Sequence, residues 1–197
     1  MTEISSLMLQ EKDPLKLDVS DISSWVFDLD NTIYPAHQSL FPRVAKRMID
    51  WIEQNFKLDR TEAEDLKTRL FLEYGTTMNG LTSEFSVEPE DFLSYVHDID
   101  LSDLSYDGEL DAGISALPGK KYIYTNGTVL HASRILEAFG VDHHFEFIFD
   151  IFASNHLPKP AMQPYQDFLS VSKINPNQAV MIEDMARNLE PAAKLGM

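Results

Sequence analysis

Two carboxylates spaced Asp-x-Asp, Asp28 and Asp30, close a short apolar run of Ile22, Trp25, Val26 and Phe27, and Asn31-Thr32 follows them. A short apolar run ending in polar residues reads as a buried strand that delivers side chains to its C-terminal edge. Alternate strand residues point the same way, so the two carboxylates share a face if strand geometry persists through both. Carboxylates that close repel each other unless a cation or a shared proton relieves them, and a hard divalent cation such as Mg²⁺ is the natural relief. The plainer alternative is a strand ending in a solvated acidic turn.

Further polar groups stand where later apolar runs end: Thr125-Asn126, Lys159 within Pro158-Lys159-Pro160, and Glu183-Asp184. Singly, each has an ordinary reading as a turn, a solvated lysine or a helix cap. Jointly they suit phosphoryl transfer through an aspartyl-phosphate. One carboxylate attacks phosphorus. A second protonates the leaving oxygen and later deprotonates the hydrolytic water. A hydroxyl and an ammonium hold the transferring oxygens, and Mg²⁺ held by further acids neutralises charge.

The elements must bring these groups together. Strands are expected at the run before Asp28, at Lys120–Thr125, at Phe145–Phe152 and at Ala179–Ile182. Between the first two, apolar residues at 41, 44, 45, 48, 49, 52 and 56 fit an amphipathic helix. Thr61-x-x-Glu64 reads as a capping box, and Ala63, Leu66, Leu70 and Tyr74 form a second stripe closed by Gly75. Glu88-Pro89 opens a third helix. Later helices follow Thr128, which can cap a stripe ending at Gly140, and carry Tyr165, Phe168, Leu169 and Val171. A last helix is expected at Leu189–Leu195 with Pro191 in its first turn. Strands alternating with helices imply a parallel α/β sheet whose ligand edge is the C-terminal one. Residues 35–112 are a helical insertion with no strand.

Composition bounds the partners. The chain has 197 residues, 44% of them hydrophobic, and a formal net charge of −16. This disfavours nucleic acid and anionic membrane surfaces. It also requires a local positive focus for any anionic substrate. With no Cys, disulfides, thiolate nucleophiles and Cys-zinc sites are excluded. Met1–Leu17 lacks signal-peptide character, and no apolar run reaches membrane-spanning length, so a cytoplasmic protein is expected.

Phe27-Asp28-Leu29-Asp30-Asn31-Thr32, Tyr124-Thr125-Asn126, Lys159-Pro160 and Ile182-Glu183-Asp184 resemble, in order, the four motifs of the haloacid dehalogenase-like hydrolases. The resemblance implies a Rossmann-like core (21–34 and 113–197), an inserted helical cap (35–112) and an N-terminal extension (1–20). It implies Asp28 as nucleophile, Asp30 as acid/base, and Thr125 and Lys159 as stabilisers of the phosphate and the intermediate. Asp28 and Asp184 would ligate Mg²⁺, with the Asp30 backbone carbonyl, and Glu183 acting directly or through water. Asn31–Pro35, Tyr74–Leu81 and Thr125-Asn126-Gly127 with His131-Ala132 are similar to the pyrimidine 5′-nucleotidase branch. That implies UMP- or CMP-like substrates contacted by Asn126, Tyr74 and Asn79, while His131 and Arg134 read as helix-surface residues. Glu183-Asp184-Met185 departs from the Asp-Asp-Ser usual in that branch. The chain also stops at Gly196-Met197, where relatives continue into another strand, which leaves a truncated sequence open.

A phosphatase of another small phosphate ester is the near alternative, and three further rivals fit less well. A 2-haloacid dehalogenase needs neither Asp30 nor a metal. A phospho-accepting receiver domain places its acids and acceptor on different strands and has no cap. A catalytically silent binding protein would not need four intact motifs. The expected partner is a small-molecule phosphate monoester, and the expected assembly a monomer or homodimer.

Overall fold

A computed structural model describes residues 19–35 and 40–197. Most of the N-terminal extension, and Ala36 of the turn after the first strand, lie outside the described residues. The strands are β1 (Ser24–Phe27), β2 (Lys120–Tyr124), β3 (Phe145–Phe149) and β4 (Ala179–Ile182). They form a parallel sheet in the order β3-β2-β1-β4. Phe27 pairs with Ile123 on one side and Ile182 on the other. The strands therefore end level, and the residues that follow each one emerge along a single edge. The ladder runs one bond further, with Asp28 N–H donating to Ile182 O at 2.9 Å.

Every β1 residue is buried, as expected of a strand covered on both faces. Its side chains alternate. Trp25 and Phe27 pack with Ile123 against α6 (Val129–Phe139) and Ile114 of α5 (Gly108–Ala116). Val26 packs with Tyr122, Tyr124 and Met181 against α7 (Met162–Ser172) and α8 (Ala186–Lys194). Helices α1 (Leu40–Phe56), α2 (Arg60–Tyr74), α3 (Thr77–Phe85) and α4 (Pro89–Val96) build a separate cluster around Val44, Ile52, Leu70, Leu81, Phe92 and Val96. A boundary at residue 112 falls inside α5, whose Leu110 and Ile114 both belong to the sheet's own cluster. Arg134 of α6 ties the layers together, donating to His97 O at 3.1 Å and Ile99 O at 2.8 Å.

Several local features differ from the sequence reading. The capping box of α2 is Asp59–Glu62, not Thr61–Glu64: Glu62 N–H donates to Asp59 Oδ1 at 3.0 Å, and Asp59 N–H to Glu62 Oε2 at 2.9 Å. Asp59 caps as well as Thr does, and Glu64 is taken by Arg60 one turn away at 3.2 Å. Helix α3 escapes a periodicity search because Gly80 interrupts a stripe of only Met78 and Leu81. That glycine is needed, since a Cβ there would lie 2.6 Å from Leu70 Cβ. Strand β3 stops at Phe149 because Asp150 turns the chain, accepting from Ala153 N–H at 2.9 Å and Val129 N–H at 3.0 Å. Helix α8 starts at Ala186, so Pro191 lies inside it and not in its first turn. Gly75, Thr128, Gly140 and Pro89 cap or open their helices where the sequence reading puts them.

These packing facts yield a paired prediction. Gly80→Ala forces Leu70 aside in the closed cap cluster, so a loss of about 1–3 kcal/mol is expected. Gly113→Ala meets nothing within 4 Å on α5, and relief of glycine's entropy cost is expected to add up to about 1 kcal/mol. Urea melts of the two variants check the opposite signs.

Candidate active site

The edge formed by the level strand ends opens into a cavity of about 400 Å³. Its floor holds Asp28, Asp30, Thr125, Asn126, Lys159, Glu183 and Asp184, so all the expected core residues come together. The Lys159 side chain, 1% exposed, reaches the floor from the loop after β3. Its Nζ donates to Asp28 Oδ1 at 2.6 Å, Glu183 Oε2 at 2.6 Å and Tyr124 O at 2.9 Å. The three donor positions of an ammonium are thereby used. Asn126 fixes the lysine's backbone, with Oδ1 accepting Lys159 N–H at 2.8 Å and Nδ2 directed at Lys159 O at 3.4 Å. Thr125 is buried, and its Oγ1 accepts Gly127 N–H at 2.9 Å, which leaves its own hydroxyl proton to donate.

The two carboxylates of the first motif sit in opposed environments. Burial pushes Asp28 up, Lys159 pulls it back, and Glu183 and Asp30 push it further, so it rises from 3.8 to about 7. Burial also pushes Asp30 up, but hydrogen bonds and charge from His131, with a hydrogen bond from Tyr34, outweigh it and hold Asp30 below its ordinary value. Both bonds land on one oxygen: Oδ1 accepts from Tyr34 Oη and from His131 Nε2, the latter at 3.1 Å. Oδ2 is left for chemistry. His131 is held in turn. Its N–H donates to Thr128 Oγ1, and its ring stacks on His97 with centroids 4.3 Å apart. Burial, with His131 nearby, brings His97 down to about 3, so it is a neutral imidazole.

His131 is therefore no helix-surface residue, and Arg134 beside it is half-buried against cap carbonyls. Helical spacing alone puts these polar positions of α6 on a solvated face, but the cap covers that face. In the sequence Tyr34 stands only within the Asn31–Pro35 resemblance, with no role of its own, and nothing there marks His97. Tyr34 stands four residues after Asp30, a spacing that could have flagged it.

Asp28, Glu183 and Asp184 present carboxylate oxygens within 4.8 Å of one another. An all-oxygen donor set of this kind suits a hard divalent cation. Asp184 is pushed up by burial and by Glu183. One lysine thus leaves the cluster short of positive charge, and the residues fit a divalent metal. Glu183 already has both oxygens engaged, Oε2 by Lys159 and Oε1 by Met185 N–H at 3.2 Å.

The cap supplies the cavity's other walls. Phe41, Ala45 and Met48 line it from α1, Lys67 and Phe71 from α2, and Gly75, Thr76 and Thr77 from the following turn. Tyr74 and Asn79 do not line it. Tyr74 bonds Glu84 on the cap surface, and the Asn79 N–H donates to Thr76 Oγ1 at 3.1 Å.

The sequence matches the haloacid dehalogenase-like hydrolase family over residues 24–196. Phosphate metabolism protein 8 of Saccharomyces cerevisiae is 26% identical over 221 residues, covering 100% of this chain and 67% of that protein. Among solved structures, a HAD phosphatase from Thermococcus onnurineus superposes with a TM-score of 0.61 at 17% identity, covering 89% of this chain and 84% of that one. The L-2-haloacid dehalogenase of Xanthobacter autotrophicus gives 0.54 at 15% identity, covering 89% and 75%. These likenesses share the fold. Among the described residues, no helix is long and apolar enough to cross a membrane.

The raised Asp28 has a measurable consequence in metal-free protein. The fold retains a proton on Asp28 that the unfolded chain releases between pH 3.8 and about 7, so stability falls as pH rises through that window. Asp28→Asn removes this loss. Its metal-free melting temperature is expected to exceed the wild type's at about pH 8, with the gap closing toward about pH 4. Calorimetry in chelator checks this, and a gap independent of pH would refute it.

Proposed function

Because the chain belongs to the haloacid dehalogenase-like hydrolases, we propose that it is a Mg²⁺-dependent phosphomonoesterase working through an aspartyl-phosphate on Asp28, with nucleoside monophosphates such as UMP or CMP as substrates. The observation that carries this reading is the clamp on Asp30. Tyr34 and His131 both hold Oδ1 and leave Oδ2 unengaged by either, and Asp30 lines the cavity together with Asp28. A dehalogenase has no work for such a group, because halide leaves unprotonated.

In the first half-reaction an Asp28 oxygen bonds to phosphorus as the bond from phosphorus to the leaving oxygen breaks. Asp30 gives that oxygen its proton. The dianionic substrate itself raises Asp30 toward the protonated form by like-charge repulsion. In the second half-reaction Asp30 takes a proton from water, which displaces the Asp28 carboxylate from phosphorus and releases inorganic phosphate. Once the phosphoryl group has moved to Asp28, Tyr34 and His131 favour the ionised Asp30 that this step needs. Lys159 keeps Asp28 oriented and compensates its charge. The Thr125 hydroxyl donates to a transferring oxygen. Asp28, Asp184 and the Asp30 carbonyl are the groups assigned to Mg²⁺, which when bound neutralises charge on the transferring oxygens. Glu183, already committed to Lys159, is assigned an indirect share.

The nucleotide reading rests on the Tyr74–Leu81 resemblance and on the wall it adjoins. Phe41 and Phe71 offer flat apolar surfaces to a base, and Thr76 offers a hydroxyl. Tyr74 and Asn79 support this turn from outside the cavity.

Asp28→Asn is expected to abolish turnover, and Asp30→Asn to slow it by about 10²–10⁴-fold for alkyl leaving groups. The Asp30→Asn defect in single-turnover phosphorylation should shrink for p-nitrophenyl phosphate, whose leaving group needs little protonation. Equal defects would remove Asp30 from the acid role. In a Mg²⁺-dependent screen of nucleotides and sugar phosphates, Phe71→Ala should lower kcat/KM for UMP about tenfold, or ~1.4 kcal/mol, while sparing methyl phosphate, which does not reach the cap. Proportional loss on both would refute the nucleotide assignment.

A further inference from the structure

Away from the cavity, two adjacent histidines converge on one carboxylate oxygen. His144 Nε2 lies 2.6 Å and His143 Nε2 3.6 Å from Asp111 Oδ1. Asp111 belongs to the first turn of α5, and the histidines end the 3-10 turn Asp142–His144 that leads into β3. None of the three lines the catalytic cavity. Neighbouring residues on an α-helix do not face each other. The tighter turn and the change to extended backbone at Phe145 bring both rings to the same side, with centroids 4.0 Å apart.

A salt bridge to Asp111 needs only one of these imidazoles. We propose that Asp111, His143 and His144 form a binding site for a borderline divalent transition ion of the Zn²⁺ class. Bonds of about 2.0–2.2 Å in tetrahedral geometry set ligand atoms roughly 3.3–3.5 Å apart. The observed separations lie to either side of that value, and all three ligand atoms fall within 4.8 Å of one another. Shifts of the two imidazoles toward a common centre complete the set. Two imidazoles favour Zn²⁺, Ni²⁺ or Cu²⁺ over Mg²⁺, which takes oxygen ligands.

The surroundings also fit. Ligating carboxylates are normally held by an outer hydrogen bond. Here Tyr106 Oη donates to the other oxygen, Asp111 Oδ2, at 2.7 Å. The Tyr106 ring lies over Gly140, where a Cβ would come within 2.7 Å of it, and that seat fixes the hydroxyl. His144 is sheltered, at 13% exposure, whereas His143 is 60% exposed and gives the ion an entry side. Three protein ligands leave a fourth position for water. The bound ion would tie α5, where the chain returns from the cap, to the turn before β3.

The test is calorimetric titration of the full chain with ZnCl₂ in excess Mg²⁺, which occupies the acidic cluster. The expected result is one Zn²⁺ per chain with a rise in melting temperature, both lost in His143→Ala/His144→Ala. Tyr106→Phe should weaken binding about 10–100-fold. Asp184→Asn, which disables the catalytic cluster, should retain the site. His143 is exposed and His144 half-buried, so a circular dichroism melt of the zinc-free double variant, expected to stay cooperative, separates loss of the site from loss of the fold. Co²⁺ substitution should give the visible d–d bands of a four-coordinate site in the wild type alone. No Zn²⁺ binding to the wild type, equal binding by the double variant, or loss in Asp184→Asn would each overturn the proposal.

Discussion

A lysine ammonium with 1% of its side chain exposed can persist in a fold only if carboxylates match it, and here two do. Asp28 and Glu183 follow adjacent strands, and the level register of β1 and β4 sets them side by side. Lys159 is delivered between them by a loop that Asn126, at the end of β2, holds by its backbone. Three strand ends and one loop are thus bound by one charge cluster. Removing Lys159 leaves both carboxylates buried without their counter-charge, at a cost of about 3–5 kcal/mol. That cost constrains the sheet register, the Lys159 loop and the turn after Asp28 together.

The same cluster separates the roles of two carboxylates only two residues apart. Pairs of titratable groups whose environments drive them apart mark acid/base assignments. Asp28 stands among acids and is raised; Asp30 accepts from His131 and Tyr34 and is lowered. The division depends on the cap, because His97 from the end of α4 stacks on the histidine that holds Asp30. Placement of the cap and orientation of Asp30 are therefore mechanically linked through one pair of rings.

The sheet was legible in the sequence because each strand is a compact apolar run ending in a polar group. The core site residues were legible for the same reason: they are those polar groups. What was not legible depends on contacts between layers. The stripe at 41, 44, 45, 48, 49, 52 and 56 is a real helix, but its residues divide between two faces. Val44, Ile49 and Ile52 enter the cap cluster, Phe41 and Ala45 line the cavity, and Met48 touches both. Periodicity cannot tell a cavity wall from a core. His131 misread as a surface residue is the same problem reversed, since a polar position on α6 is buried by an element some 30 residues upstream. Helix α3 was hidden because the glycine it needs for close approach to α2 weakens its own helical signal.

The strongly negative chain poses a difficulty for any anionic substrate, and basic residues in the cavity lining offset its floor acids in part. Lys67 from α2, Lys159 from the floor and Arg187 from α8 all line it. Arg187 lies 5.0 Å over the Phe71 ring, a cation–π contact from core helix to cap helix across the cavity. Fields inside a cleft are set by the charges that line it more than by the net charge, because low-dielectric walls focus them. Lys159 is spent on Asp28 and Glu183, so the attraction that brings an anion in falls to Lys67 and Arg187, one on each side of the opening. A substrate drawn between them meets cap and core at once. The charges available to recruit it are therefore divided between cap helix α2 and core helix α8.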